Sequence, residues 1–106
     1  MSEETFVQGD TAPDITATLY ESDGTTPLDL TGATVRFQMR KANDLDFTVD
    51  AAATIDIDPT TGKVSYRWGA NDLAVPGEYI GQWRVTYVDA RIQTTAVPNE
   101  ITVRRR

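Results

Sequence analysis

The longest alternating run in the chain is Tyr79-Ile80-Gly81-Gln82-Trp83-Arg84-Val85-Thr86-Tyr87-Val88. Side chains alternate between the two faces of a β-strand, so its odd-numbered residues, which include both tyrosines and the tryptophan, share one face. Pro76-Gly77 precedes the stretch and breaks any earlier element, while Asp89-Ala90 provides a tight turn after it. These residues therefore predict a long, half-buried strand that contributes Trp83 to a core.

The same alternation recurs along the chain, with turn residues such as Ser22–Thr25 and Asp58–Gly62 between the runs. Residues 43–53 form either an edge strand or a loop, and residues 70–75 fit a single helical turn. We predict further strands at Ile15, Ala17 and Leu19; at Val35, Phe37 and Met39; at Ile55 and Ile57; at Val64, Tyr66 and Trp68; over residues 91–97; and at Ile101 and Val103 after Pro98.

About seven to eight short strands in a chain of this length predict an all-β fold, an immunoglobulin-like antiparallel β-sandwich. A small barrel is the alternative, because the pattern does not show which strands pair. We expect one domain over residues 1–106, with residues 1–5 as a flexible arm and residues 104–106 as a basic tail. Tyr79 is the expected structural corner, a tyrosine that hydrogen-bonds back to the preceding backbone.

Charge narrows the range of partners. Acidic residues outnumber basic ones by 16 to 10, and the net charge of −6 repels nucleic acid and anionic membranes. The exception is Arg104, Arg105 and Arg106, which we consider candidates for contact with an acidic partner, although a solvated tail is the simpler interpretation. Tyr20 is a second candidate interaction residue, because its position predicts partial exposure.

Catalytic chemistry has little support in the composition. The chain has no histidine and no cysteine, which removes the commonest general base, the usual zinc ligands and any disulfide. Asp44 with Asp46, and Asp56 with Asp58, are carboxylate pairs without the surrounding loop of a calcium site. We therefore expect no catalytic, cofactor-binding or metal site, and we expect Trp68 and Trp83 to fill the core.

Several short motifs occur in a fixed order: Phe6-Val7-Gln8-Gly9-Asp10-Thr11-Ala12-Pro13, Asp23-Gly24, Leu28-Asp29-Leu30-Thr31-Gly32-Ala33-Thr34-Val35-Arg36-Phe37, Gly62-Lys63-Val64-Ser65-Tyr66 and Pro76-Gly77-Glu78-Tyr79. Together they resemble the immunoglobulin-like domain at the N-terminus of phage baseplate upper proteins and of related tail and virion proteins. The resemblance implies a structural bacteriophage protein that mediates protein–protein assembly. Its partners would be other virion proteins and further copies of itself, in a virion assembled in the host cytoplasm.

Other functions remain open at this point. We expect no receptor-binding or coiled-coil region after the sandwich, so a capsid decoration or neck protein is an alternative to a tail or baseplate component. A carbohydrate or host-surface binding module would need exposed aromatic side chains, above all Trp68 or Trp83. An enzyme would need a cleft that contains two of the carboxylates of Asp44, Asp46, Asp56, Asp58 and Asp72.

Overall fold

The computed structural model describes residues 2–21, 23–95 and 99–106, apart from the side chains of residues 2 and 3, and strands dominate this part of the chain. A short 3-10 turn over Pro59–Thr61 is present as well. No helix among these residues is long and apolar enough to cross a membrane. The strands are β1 (Ser2–Val7), β2 (Ile15–Thr18), β3 (Thr34–Lys41), β4 (Phe47–Ala52), β5 (Thr54–Ile55), β6 (Lys63–Tyr66), β7 (Gly77–Thr86), β8 (Ile92–Thr94) and β9 (Asn99–Arg104).

The strands form two sheets around one core. The large sheet has the order β1-β9-β7-β3-β4, with β8 paired to the C-terminal part of β7. The small sheet has the order β2-β6-β5. All pairs are antiparallel except β1 with β9, which run parallel. The predicted all-β immunoglobulin-like sandwich is confirmed, and the barrel alternative is wrong because two separate sheets are present.

The core consists of the inward faces of both sheets, as the alternation predicts. On β3 and β7 the predicted inward residues are almost fully buried, and the same holds for Ile101 and Val103 on β9. Phe37 lies at the centre, with its ring centroid 4.8 Å from that of Trp83 and 5.1 Å from that of Tyr66. Gly81 makes room for this ring, since a Cβ there would lie 3.0 Å from Phe37 Cε1.

The N-terminal segment requires a correction. Residues 2–5, expected to lie in a flexible arm, belong to β1, whose backbone pairs with β9 from Ser2 opposite Asn99 to Val7 opposite Arg104. Phe6 anchors this strand, because its ring is buried and meets the Trp68 ring edge-on at 5.0 Å. The residues directly before Phe6 are all polar, so the sequence shows no alternation that would predict this strand.

Four other segments differ from their predictions or sharpen them. The strand expected at Ile55 and Ile57 stops at Ile55, and Ile57 is fully exposed because the chain already turns there toward Pro59. Residues 70–73 form hydrogen-bonded turns in place of the helical turn expected over residues 70–75. Of residues 43–53, the part over Phe47–Ala52 is an edge strand. The strand expected over residues 91–97 is present over Ile92–Thr94, and Ala96, Val97 and Pro98 lie outside the described residues.

Candidate interaction surfaces

Tyr79 lies where β7 begins, at the end of the sandwich that also holds Gln8–Asp10, the loop 67–76 and Arg105–Arg106; we call this the terminal end. The Tyr79 hydroxyl donates a 2.6 Å hydrogen bond to the carbonyl of Val75. Burial of the side chain raises the pKa of Tyr79 above its usual value. The hydrogen bond ties the loop to the strand that follows it, which is the contact expected of a structural corner.

A second tyrosine holds the other part of this loop. The Tyr66 hydroxyl donates to Asp72 Oδ2 at 2.6 Å, and the same oxygen accepts the Gly69 N–H at 2.7 Å. Burial, followed by the hydrogen bond to Asp72, raises the pKa of Tyr66 to about 12. The carboxylate of Asp72 therefore organises the loop internally.

The three C-terminal arginines lie at the terminal end. Arg104 is the last residue of β9, and Arg105 and Arg106 are exposed beyond it. Arg106 Nη1 lies 3.4 Å from the Gln8 carbonyl oxygen and 4.0 Å from Asp10 Oδ1. The last arginine thus contacts the segment after β1, and such an exposed ion pair contributes little stability.

Tyr20 lies at the opposite end, which we call the acidic end because it carries Glu21, Asp23, Asp29, Asp56, Asp58 and Asp89. Tyr20 forms an isolated bridge with Pro27 and is 48% exposed, in line with its predicted partial exposure. The structure does not bring Tyr20 and the arginines together. The two predicted interaction sites are therefore separate surfaces.

Local hydrogen bonds hold the turns of the acidic end. Asp23 accepts the backbone N–H groups of Thr25 and Thr26, both at 2.9 Å, and the Thr26 hydrogen bonds lower the pKa of Asp23 to about 2. Asp29 and Asp58 accept from Thr31 and Thr60 in the same way, and these bonds lower the pKa of each carboxyl. Each carboxylate serves its own turn.

The carbohydrate-binding and enzyme alternatives lose their main structural support. Trp68 and Trp83 are 2% and 1% exposed, so neither ring can stack on a sugar from solvent. Asp44 and Asp46 lie in the loop between β3 and β4, whereas Asp56 and Asp58 lie at the acidic end. A groove of about 750 Å³ on the small sheet contains only Asp56 of these five carboxylates.

The sheet edges form a further candidate surface. Within the described residues β4 pairs only with β3, and β1 pairs only with β9, so each has one strand side without a partner. Unpaired backbone N–H and C=O groups along an edge can accept a strand from another chain. Beside the β4 edge, Leu45 and Phe47 are 91% and 41% exposed.

A polar network on the outer face of the large sheet was not predicted. Gln82 Nε2 donates to Gln38 Oε1 at 2.9 Å, Gln38 Nε2 lies 3.4 Å from Asp50 Oδ1, and Arg36 Nε donates to the same oxygen at 2.7 Å. Arg84 lies directly opposite Arg36. Only the register of β4, β3 and β7 brings these residues together, and the sequence does not reveal a register.

The two sheets, their strand order and the tyrosine at the start of β7 define the immunoglobulin-like class of β-sandwich. The profile of one protein family, described as the BppU N-terminal domain, matches residues 3–102. The chain belongs to this family, the N-terminal domain of the baseplate upper protein, a structural protein of the phage baseplate. Proteins of the baseplate are parts of the virion and contact other virion proteins. No curated protein matches the chain.

Proposed function

We propose that this chain is a non-enzymatic structural module of the phage tail or baseplate, and that it mediates assembly by docking on neighbouring virion proteins in the host cytoplasm. The observation that carries the proposal is the family match over residues 3–102. The fold adds a physical route, because a rigid sandwich with open strand edges can bind other chains without rearranging.

The β4 edge is the docking edge that the geometry favours. It has six residues, as β1 has, but of these two edges only β4 lies next to described apolar side chains that are exposed, those of Leu45 and Phe47. An added strand would complete its backbone hydrogen bonds, and the apolar side chains would contribute contact area. The edges of β2 and β5 are shorter, with four and two residues.

Labelling of phage particles tests the proposal. Phage produced with a tagged copy of the chain is labelled with gold-coupled antibody and imaged by electron microscopy. We expect label at the distal end of the tail. Label on the capsid or neck would instead support the decoration or neck alternative, and an absence of the tag from intact, disrupted and denatured particles would overturn the virion assignment.

An edge variant tests the docking mode. Thr48→Pro places a residue without an N–H in the open edge strand, next to Val49. Because proline can also disturb the strand, Thr5→Pro in β1 serves as the matched control, and circular dichroism checks that both variants fold. We expect incorporation into particles to fall for Thr48→Pro and not for Thr5→Pro; equal incorporation would exclude the β4 edge.

A further inference from the structure

The outer face of the large sheet has an unbalanced charge. Arg36 on β3 and Arg84 on β7 lie directly opposite in the antiparallel register. Arg36 has a partner, since it donates to both the carboxylate and the carbonyl of Asp50, at 2.7 and 2.6 Å. Among the side chains that the structure describes, no carboxylate lies within ion-pair distance of the half-buried Arg84. Like charges directly opposite each other destabilise a sheet, so an anion beside Arg84 would relieve the repulsion between Arg36 and Arg84.

Asp50 cannot supply that anion. Its Oδ1 oxygen faces Arg36 and Gln38, and the Arg36 hydrogen bond is the main cause that lowers the pKa of Asp50. Arg84 acts on Asp50 only through its charge, at longer range. On its other side Arg84 lies opposite Thr94 of β8, which is uncharged, and Ile92 two residues earlier is exposed. The face around Arg84 therefore offers a cation beside an apolar side chain.

The complementary surface occurs elsewhere on the same chain. The loop between β3 and β4, residues 42–46, together with Phe47 forms what we call the β3–β4 tip, and it exposes Asp44, Leu45 and Asp46. Neither aspartate forms an ion pair with a described side chain. The tip is braced, because Arg40 Nη1 donates to the Asp44 carbonyl at 2.8 Å. It presents two free carboxylates around one exposed leucine.

Contact between the tip and Arg84 cannot form within one copy. Arg36, with Arg84 opposite it on β7, lies four residues before Arg40 on β3, which is roughly 13 Å at the rise of a strand. The tip extends beyond the end of β3, away from Arg84. We propose that the outer face around Arg84 binds the β3–β4 tip of a second copy, with the tip carboxylates beside Arg84 and Leu45 beside Ile92. Tip and face lie on one sheet, so a two-fold axis can make the contact reciprocal.

This inference rests on the proposed assembly function and names one partner within it. The test is sedimentation velocity of the purified chain over a range of concentrations, at low salt and at 0.5 M salt. We expect a reversible dimer that weakens with salt, because the contact is between charges at a surface. Arg84→Glu and the milder Arg84→Gln should raise the dimer dissociation constant, the former by at least about tenfold.

Two further variants make the result specific. Arg67→Glu changes the net charge equally at an exposed side chain, 87% accessible, and should leave the dimer unchanged. Adding Asp44→Lys and Asp46→Lys to Arg84→Glu exchanges the two charges and should restore the dimer. Circular dichroism checks that each variant folds.

A wild type that stays monomeric, an equal effect of Arg67→Glu, or a folded charge exchange that does not restore the dimer would each overturn the inference. Particle labelling separates this failure from failure of the proposed function. A chain that is monomeric in solution but is still detected on phage tails would contradict only the proposed self-association.

Discussion

At the terminal end, two tyrosine hydroxyls and the buried Trp68 ring hold a loop against the core, whereas at the acidic end each aspartate holds a turn of two or three residues. The first kind of contact ties the loop to β6, to β7 and to Phe6 of β1, and it depends on burial. The second kind is local and exposed, and it depends on the charge of the carboxylate. Mutations in the core should therefore affect the terminal end most, and acid should affect the acidic end most.

The largest expected effect comes from Trp68→Ala. Trp68 packs edge-on against Phe6, Phe37 and Tyr66, so its removal leaves a cavity between β1 and the small sheet. We expect a loss of about 3–5 kcal/mol in the free energy of unfolding, measured by chemical denaturation. Tyr20→Ala at the acidic end is the control, with an expected change within about 0.5 kcal/mol. Similar losses for both would contradict the difference between the ends.

The next effect comes from a close backbone approach at the acidic end. Gly62 has a φ of 69°, and a Cβ there would collide with the Leu19 carbonyl oxygen. Gly24 has a similar φ of 76° but open space around it. We expect Gly62→Ala to cost about 2–4 kcal/mol, from backbone strain plus a forced shift, and Gly24→Ala about 1 kcal/mol from strain alone. Equal melting temperatures of the two variants would disprove the clash.

Removal of one hydroxyl at the terminal end should have a smaller effect. Tyr79→Phe leaves the Val75 carbonyl without its donor and should lower the free energy of unfolding by about 1–2 kcal/mol. Tyr20→Phe removes an exposed hydroxyl and should change the stability very little. Amide hydrogen exchange gives a second readout, because the loop 67–76 should exchange faster only in Tyr79→Phe. Unchanged exchange there would show that the loop is held by packing alone.

The smallest effect should appear at low pH. Hydrogen bonds from Thr26 and Thr25 lower the pKa of Asp23 from 3.8 to about 2, so the folded state favours the ionised carboxylate. This stabilisation is present above pH 4 and is lost as the pH falls toward 2. Asp23→Asn should therefore reduce the decline in melting temperature over that range, while its melting temperature at pH 7 drops slightly. A decline as steep as in the wild type would exclude Asp23 as a contributor.

Much of the core could be predicted from the sequence, because alternation depends only on neighbours along the chain. The inward residues of β3, β7 and β9 follow from the period of two, and so do the buried positions of Trp68 and Trp83. The same rule missed β1, where Phe6 is the main apolar anchor, and it extended β5 to Ile57. β1 depends on pairing with β9, a strand distant in the sequence, which no local pattern reveals, whereas β5 ends early because the chain turns toward Pro59.

The candidate surfaces were less predictable for the same reason. Tyr20 and the arginines of residues 104–106 could be named as exposed, but their separation to opposite ends requires the topology. The opposition of Arg36 and Arg84 requires the register of β3 and β7, and the exposure of the β3–β4 tip requires knowing that β4 is an edge strand. The roles of these residues in binding stay predictions that the proposed experiments can test.

The parallel pairing of β1 with β9 has a mechanical consequence. Tension that pulls residue 2 and residue 104 in opposite directions runs along both strands, and it loads the six paired positions between Ser2 and Val7 together, in shear. Antiparallel end strands pulled in the same way would open one pair at a time, like a zipper. A module stretched through these two strands should resist force well, and single-molecule pulling through them would show a high rupture force followed by sudden unfolding.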